Sequence, residues 1–205
     1  MADKQIGDLT AATTPLVGTE TVHIVQSGNS RKAEARHFGS LVFLEPQIAS
    51  NSASLSFTGV SSTYDEYEIH FNAVVPITDT AVLWVRINGD TGSNYRWEMC
   101  QTNSGSTTVS ASVSASDTKV STIVALGNST GESVNGIIRI ANVNNTSLYK
   151  NLVVDMTAYQ SGPISQRIFG GGTWVSASAV TSISVLMSTG NISAGNFYLY
   201  GMRKS

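Results

Sequence analysis

Apolar and polar residues alternate with a period of two along most of this chain. Tyr67, Ile69, Phe71 and Ala73 interleave with Glu66, Glu68, His70 and Asn72, the pattern of a strand with one buried face. Ala81, Leu83, Val85 and Ile87 predict the next inner face, with Trp84 and Arg86 on the outer side. After Asn88-Gly89-Asp90-Thr91-Gly92, the residues Tyr95, Trp97 and Met99 share a face, and the two segments read as a hairpin with a long loop. Thr107–Ser116 is low-complexity Ser/Thr/Val/Ala and reads as a strand or a mobile loop. Further strands are predicted at Ser121–Leu126, Gly136–Ala141, Leu152–Tyr159, Ile168–Val175, Ser182–Met187 and Phe197–Met202. The last two, joined through Ser188–Gly195, read as a hairpin closing a sandwich.

That makes roughly eight strands or slightly more, separated by Gly, Asn and Ser clusters, which predicts an all-β sandwich, jelly-roll-like, or a barrel. No long helix and no fixed-period repeat is visible. The glycine run Gly170-Gly171-Gly172 reads as a bend or a close backbone approach between strands.

Residues 1–45 differ from residues 46–205. Charge is denser there. Val22 and Ile24 alternate with polar neighbours, and Gln26–Lys32 reads as a tight turn into a second strand. Arg31–Leu44 contains a candidate short helix with Phe38 on it, and Glu45-Pro46 is expected to end that element. A lone hairpin buries too little apolar area to be stable by itself, so the segment is a candidate docking element. Val22, Ile24 and Phe38 are its candidate interface residues, and Trp84 is the candidate interface residue of the larger domain.

Composition narrows the class. Charged residues are 13% of the 205, about half the usual share, and Ser, Thr, Asn and Gly fill the difference. A hydroxyl- and amide-rich surface suits β-rich virion and extracellular proteins. The net charge is −2, and the only basic clusters are Arg31-Lys32…Arg36 and Arg203-Lys204, so no nucleic-acid partner is expected. No apolar run approaches the ~20 residues that span a bilayer, and Met1–Gln5 lacks an apolar signal core. Synthesis in the cytosol and no membrane partner are the expectation. The single cysteine, Cys100, excludes a disulfide within the chain.

Catalytic motifs are missing. The three histidines, His23, His37 and His70, lack the i, i+4 spacing of a helical zinc pair, and His70 reads as a surface residue. No Gly-x-Ser-x-Gly elbow occurs. Glu66 and Glu68 would lie roughly 7 Å apart on one outer face. That spacing suits a sugar-cleaving pair, although two solvated carboxylates is the simpler reading. Asn88 and Asp90 could offer oxygens to a hard cation, without an EF-hand pattern. The rings of Trp84, Tyr95, Trp97, Tyr149, Tyr159 and Trp174 could stack on sugars or on a partner, although several are expected in the core. No catalytic residue, cofactor or metal is assigned.

Two stretches carry a resemblance. Ile6-Gly7-Asp8-Leu9-Thr10-Ala11-Ala12-Thr13-Thr14-Pro15-Leu16-Val17-Gly18-Thr19-Glu20, continuing through Val25-Gln26-Ser27-Gly28, resembles an N-terminal segment of many tailed-bacteriophage tail-fibre, receptor-binding and head-decoration proteins. Arg31-Lys32-Ala33 and Ala35-Arg36-His37-Phe38 fill the places of its basic strand and small helix. Phe57-Thr58-Gly59-Val60, Tyr64-Asp65-Glu66-Tyr67, Gly136–Ile140, Gly170–Trp174 and the Ser188–Gly201 ending resemble a C-terminal module of such virion proteins. The resemblance implies a non-enzymatic virion appendage: a homotrimer anchored to capsid or tail proteins by its N-terminal segment, with the β-domain facing outward. It carries over no catalytic residue. The chain has no shaft repeat, so a short spike, a fibre tip or a capsid decoration protein fits better than a long fibre. A glycan-binding or glycan-cleaving receptor-recognition role is the alternative.

Overall fold

A computed structural model describes residues 21–34, 41–60, 62–160 and 164–203. The chain divides into two compact units, Met1–Val42 and Phe43–Ser205.

In the first unit, β1 (Thr21–Gln26) and β2 (Asn29–Glu34) form an antiparallel hairpin. Ser27 and Gly28 form its two-residue loop, with φ of 51° and 76°. Positive φ at both positions is the type I′ turn, whose twist matches that of the flanking strands. Asn29 Nδ2 donates to the Ser27 carbonyl at 3.1 Å. The candidate helix over Arg31–Leu44 is corrected at both ends: Arg31–Glu34 belongs to β2, and Leu41–Leu44 begins β3 (Leu41–Ser52). Its middle, with Phe38, lies outside the described residues.

The second unit is all β. Its strands are the remainder of β3, then β4 (Ser54–Phe57), β5 (Tyr64–Pro76), β6 (Leu83–Ile87), β7 (Tyr95–Asn103) and β8 (Ser110–Asp117). There follow β9 (Val120–Ser121), β10 (Ser133–Ala141), β11 (Lys150–Gln160), β12 (Ile164–Trp174), β13 (Ile183–Met187) and β14 (Ile192–Arg203). One sheet has the order β3-β14-β5-β10-β11-β12-β7-β8 and the other β4-β13-β6-β9. The inner faces meet in one core. Tyr67, Ile69, Phe71, Ile138, Ile140 and Phe197 come from the large sheet, and Phe57, Leu83, Val85, Ile87, Ile183 and Val185 from the small one. Each such buried aliphatic or phenyl side chain contributes about 1.5–3 kcal/mol. The chain is therefore a two-layer β-sandwich in this region.

Pro46 does not end an element. It sits inside β3, the edge strand of the large sheet. An edge tolerates proline because a missing N–H on the solvent side breaks no ladder bond. Ala73 does not face the core either. It takes φ 52° and is exposed, while Val74 turns inward. Its N–H is held by Asn135 Oδ1 at 2.9 Å, where the β5–β10 register shifts. An extra residue in one strand reverses the inside–outside parity beyond it.

Two expected hairpins are sheet changes. β6 lies in the small sheet and β7 in the large one, and β13 and β14 are likewise divided. Among the strand predictions, Ser121–Leu126 shortens to β9 and a lone bridge from Leu126 to Ala81, because Ile123 takes φ 61°. The low-complexity stretch resolves as strand β8 from Ser110 onward.

Candidate functional site

The outward face of the large sheet gathers most of the chemistry among the described residues. Successive pairings align Tyr200, Glu68, Arg139, Val153, Gly171, Glu98 and Val113 in one row across seven strands. The adjacent row holds Tyr198, His70, Ile137, Asp155, Phe169, Cys100 and Ala111. Strand alternation places all of these on the side away from the core.

At one end of these rows stands an ion-pair cluster. Glu68 Oε2 lies 2.8 Å from His70 Nε2, and Glu68 Oε1 lies 2.7 Å from the Arg139 guanidinium, which also sits 4.0 Å from Glu66. The His70 ring packs 4.8 Å from Tyr200, which Phe43 meets edge-on at 5.7 Å. Glu68 is consequently only 5% exposed, so the reading of Glu66 and Glu68 as two solvated carboxylates is corrected. His70 is half-buried and partnered rather than a free surface residue. Burial alone would raise the Glu68 pKa, but hydrogen bonds from His70 and Arg139 outweigh it and hold the carboxyl below its usual range. A general acid at neutral pH needs the opposite shift. This geometry suits a fixed anion that orders its neighbours.

Further along, Gly171 leaves a gap in the row. It opens a shallow trough of about 510 Å³ lined by Arg96, Glu98, Val113, Asn151, Gly171 and Thr173, among others. Thr173 Oγ1 and Asn151 Oδ1 lie 3.0 Å apart on its wall. The missing side chains are a packing requirement. A Cβ on Gly171 would stand 2.5 Å from the Leu152 carbonyl oxygen, and one on Gly172 would stand 2.9 Å from that of Arg96. A second depression of about 430 Å³ lies over Gly136, between His70, Asn72, Asn135, Ile137 and Asp155.

The loop oxygens considered for a cation are occupied by protein donors. Asp90 Oδ2 accepts from Trp174 Nε1 at 2.6 Å and Asn94 Nδ2 at 2.9 Å, and Oδ1 accepts from the Gly92 N–H at 2.7 Å. Asn88 Oδ1 accepts from the backbone of Thr181 and Ser182 at 2.7 and 3.1 Å. These groups tie loops together. Tyr95 is buried, and burial pushes its phenol up to about 12. Trp174 is also buried, whereas Tyr149 and Tyr159 are exposed.

Trp84 lies on the outward face of the small sheet, opposite Leu186 and Ser121. Its ring is not bare: Lys119 Nζ stands 4.6 Å from the ring centroid and Arg86 Cζ 5.9 Å. Lys119 is itself anchored to Asp117 at 2.5 Å. A cation over the ring face is attractive and leaves less of the indole for a partner. On the hairpin, Val22 is exposed, Ile24 is half-buried, and Val25 is 70% exposed. Sequence reasoning missed the partnered state of Glu68. The signal available was Arg139, on a predicted strand whose pairing with β5 could not be known.

No family model, no curated protein and no solved structure matches this chain.

Proposed function

We propose that this chain is a structural protein of a bacteriophage particle. Its N-terminal segment docks to a capsid or tail protein, and its β-sandwich is displayed outward. The observation that carries the reading is the hairpin β1–β2, in a unit separate from the sandwich, with Val22 and Val25 exposed. A two-stranded hairpin is marginal in water, so burying these side chains against a partner supplies the stabilisation it lacks. The resemblance of residues 6–28 to virion attachment segments supplies the kind of partner. The work is contact-area binding, with no reaction to catalyse, and the site of action is the virion.

Truncation tests this. β3 begins at Leu41, so the cut that spares the sandwich removes residues 1–40. The truncated protein should stay folded by circular dichroism yet be missing from purified particles. Normal incorporation would overturn the reading.

The Gly171 trough favours a second reading, glycan recognition by the displayed face. Its rim of Arg96, Glu98, Asn151 and Thr173 offers donors and acceptors around an uncharged floor. Loss of host-polysaccharide binding in Asn151→Ala would support it, and no binding by the wild-type chain would remove it.

A further inference from the structure

The sandwich has four sheet edges among the described residues, and three are protected. β3 carries Glu45 and Pro46, β4 is four residues long and β9 two. Short strands, charge and proline are the usual ways of keeping an edge from pairing with another chain. The fourth edge, β8, is eight residues long, has no proline or basic residue, and carries charge only at Asp117. Only Ser114 and Asp117 of it are half-buried, and Val113 is 72% exposed. Its backbone groups on the side away from β7 have no neighbouring strand in the sheet.

The sequence of β8 says what would pair there. Ser110-Ala111-Ser112-Val113-Ser114-Ala115-Ser116 reads identically in both directions. We propose that β8 pairs antiparallel with β8 of a second copy about a two-fold axis through Val113. In such a pair, the residue n places after Val113 faces the residue n places before it on the other copy. Val113 then meets Val113 of the partner subunit, Ser112 meets Ser114, and Ala111 meets Ala115. Hydroxyl faces hydroxyl, methyl faces methyl, and no like charges are opposed, which are the favourable cross-strand combinations. The register shift opposite Tyr95 and Trp97 falls at the C-terminal end of the palindrome, so Ala111–Ser114 is the regular part of the ladder.

The axis stands perpendicular to the sheet, so each side chain stays on its own face. Ala111 and Val113 extend the outward rows that hold Phe169, Cys100 and Val153, and the serines take the other face. Val113 also walls the Gly171 trough. Gly171, Glu98 and Val113 of one copy are followed by the same three in reverse, placing the two trough floors on one surface about 24 Å apart at the ordinary strand spacing. The pairing is two-fold, whereas the family resemblance implies three copies, so the symmetry itself is under test.

The experiment uses the full chain with Cys100→Ser, to which Val113→Cys is added. Either kind of antiparallel pair holds facing Cα atoms about 4.5–5.5 Å apart, within disulfide reach. Mild oxidation should give a covalent dimer. Ile48→Cys, equally exposed on the opposite edge, should give none. By analytical ultracentrifugation, Val113→Lys should weaken association about tenfold or more, since it opposes two ammonium groups. If that variant misfolds, the double variant Ser112→Lys/Ser114→Lys, whose ammonium groups face each other across the axis on the other face, serves the same purpose. A monomer at every concentration overturns the proposal. So does an assembly that survives the lysine variants, or one that yields no Val113→Cys dimer, including a trimer held elsewhere.

Discussion

The indole Nε1 of Trp174 donates to Oδ2 of Asp90 at 2.6 Å and ties the end of β12 to the loop between β6 and β7. That loop carries the chain from the small sheet to the large one. Asn94 and the Gly92 N–H bind the same carboxylate, so one side chain organises the crossing. Burial raises its pKa, but these three donors prevail and lower it. A carboxyl with a lowered folded-state value contributes stability that is complete above its unfolded pKa. That contribution is lost as pH falls through the folded value. Asp90→Ala should cost about 1–3 kcal/mol at neutral pH, the range for leaving the one buried donor, Trp174 Nε1, unpaired, while the exposed Gly92 and Asn94 donors turn to water. Urea unfolding at a series of pH values should show the gap from wild type closing on acidification. A gap that is constant with pH would contradict the role.

The Glu68 cluster makes a parallel prediction with a different control. Arg139 is half-exposed, so its bond to Glu68 is worth less than a fully buried ion pair. Glu68→Gln and Arg139→Met should each destabilise, and the double variant should destabilise less than their sum, with coupling of about 0.5–3 kcal/mol. Strict additivity in thermal unfolding would show that the two do not act as a pair. The Glu68 contribution should also fade toward acid pH, because its folded-state pKa is lowered.

Strand content was legible because alternation is a local signal. Leu83, Val85 and Ile87 alternate with Trp84 and Arg86, and all three are fully buried. The same holds for Leu152, Val154 and Met156 in β11. What escaped depends on neighbours remote in sequence. Pro46 is compatible with β3 only because β3 is an edge. Ala73 turns outward because Asn135, sixty-two residues away, receives its N–H. Nothing local to Ile87 or Tyr95 says that the chain changes sheets between them. Glu68 reads as a surface charge until Arg139, His70 and Tyr200 close over it. The hairpin β1–β2 was legible from Ser27-Gly28, whereas Phe38 falls outside the described residues.

Gly171 should not tolerate a side chain. A Cβ there lies 2.5 Å from the Leu152 carbonyl oxygen, a backbone atom in the centre of the sheet that cannot swing aside. Gly171→Ala should therefore destabilise by about 1–3 kcal/mol, the cost of overpacking, despite the usual preference for alanine over glycine within a strand. Gly89 is a contrasting site. Its added Cβ meets nothing within 4 Å, and its φ of 64° alone opposes substitution. Gly89→Asn, which accepts that conformation, should leave the unfolding midpoint almost unchanged. Equal losses at the two sites in thermal unfolding would show that close approach is not what glycine serves at position 171.

Lys150 is a fully buried cation that faces carbonyls. Its Nζ donates to the backbone oxygens of Asn145 at 2.5 Å and Leu148 at 2.9 Å, closing the loop between β10 and β11. Burial lowers its pKa. The unfolded chain therefore binds the proton more tightly, and stability from this group rises with pH between the lowered folded value and the ordinary lysine value of about 10.4. Lys150→Met removes the titration and leaves two carbonyls without their donor, at a cost of about 1–3 kcal/mol. Wild type and Lys150→Met share every other titrating group, so their difference in unfolding free energy isolates this one. That difference should grow in favour of wild type as pH rises toward about 10. A difference that shrinks with alkali would mean that Lys150 is better solvated in the folded chain than its burial implies.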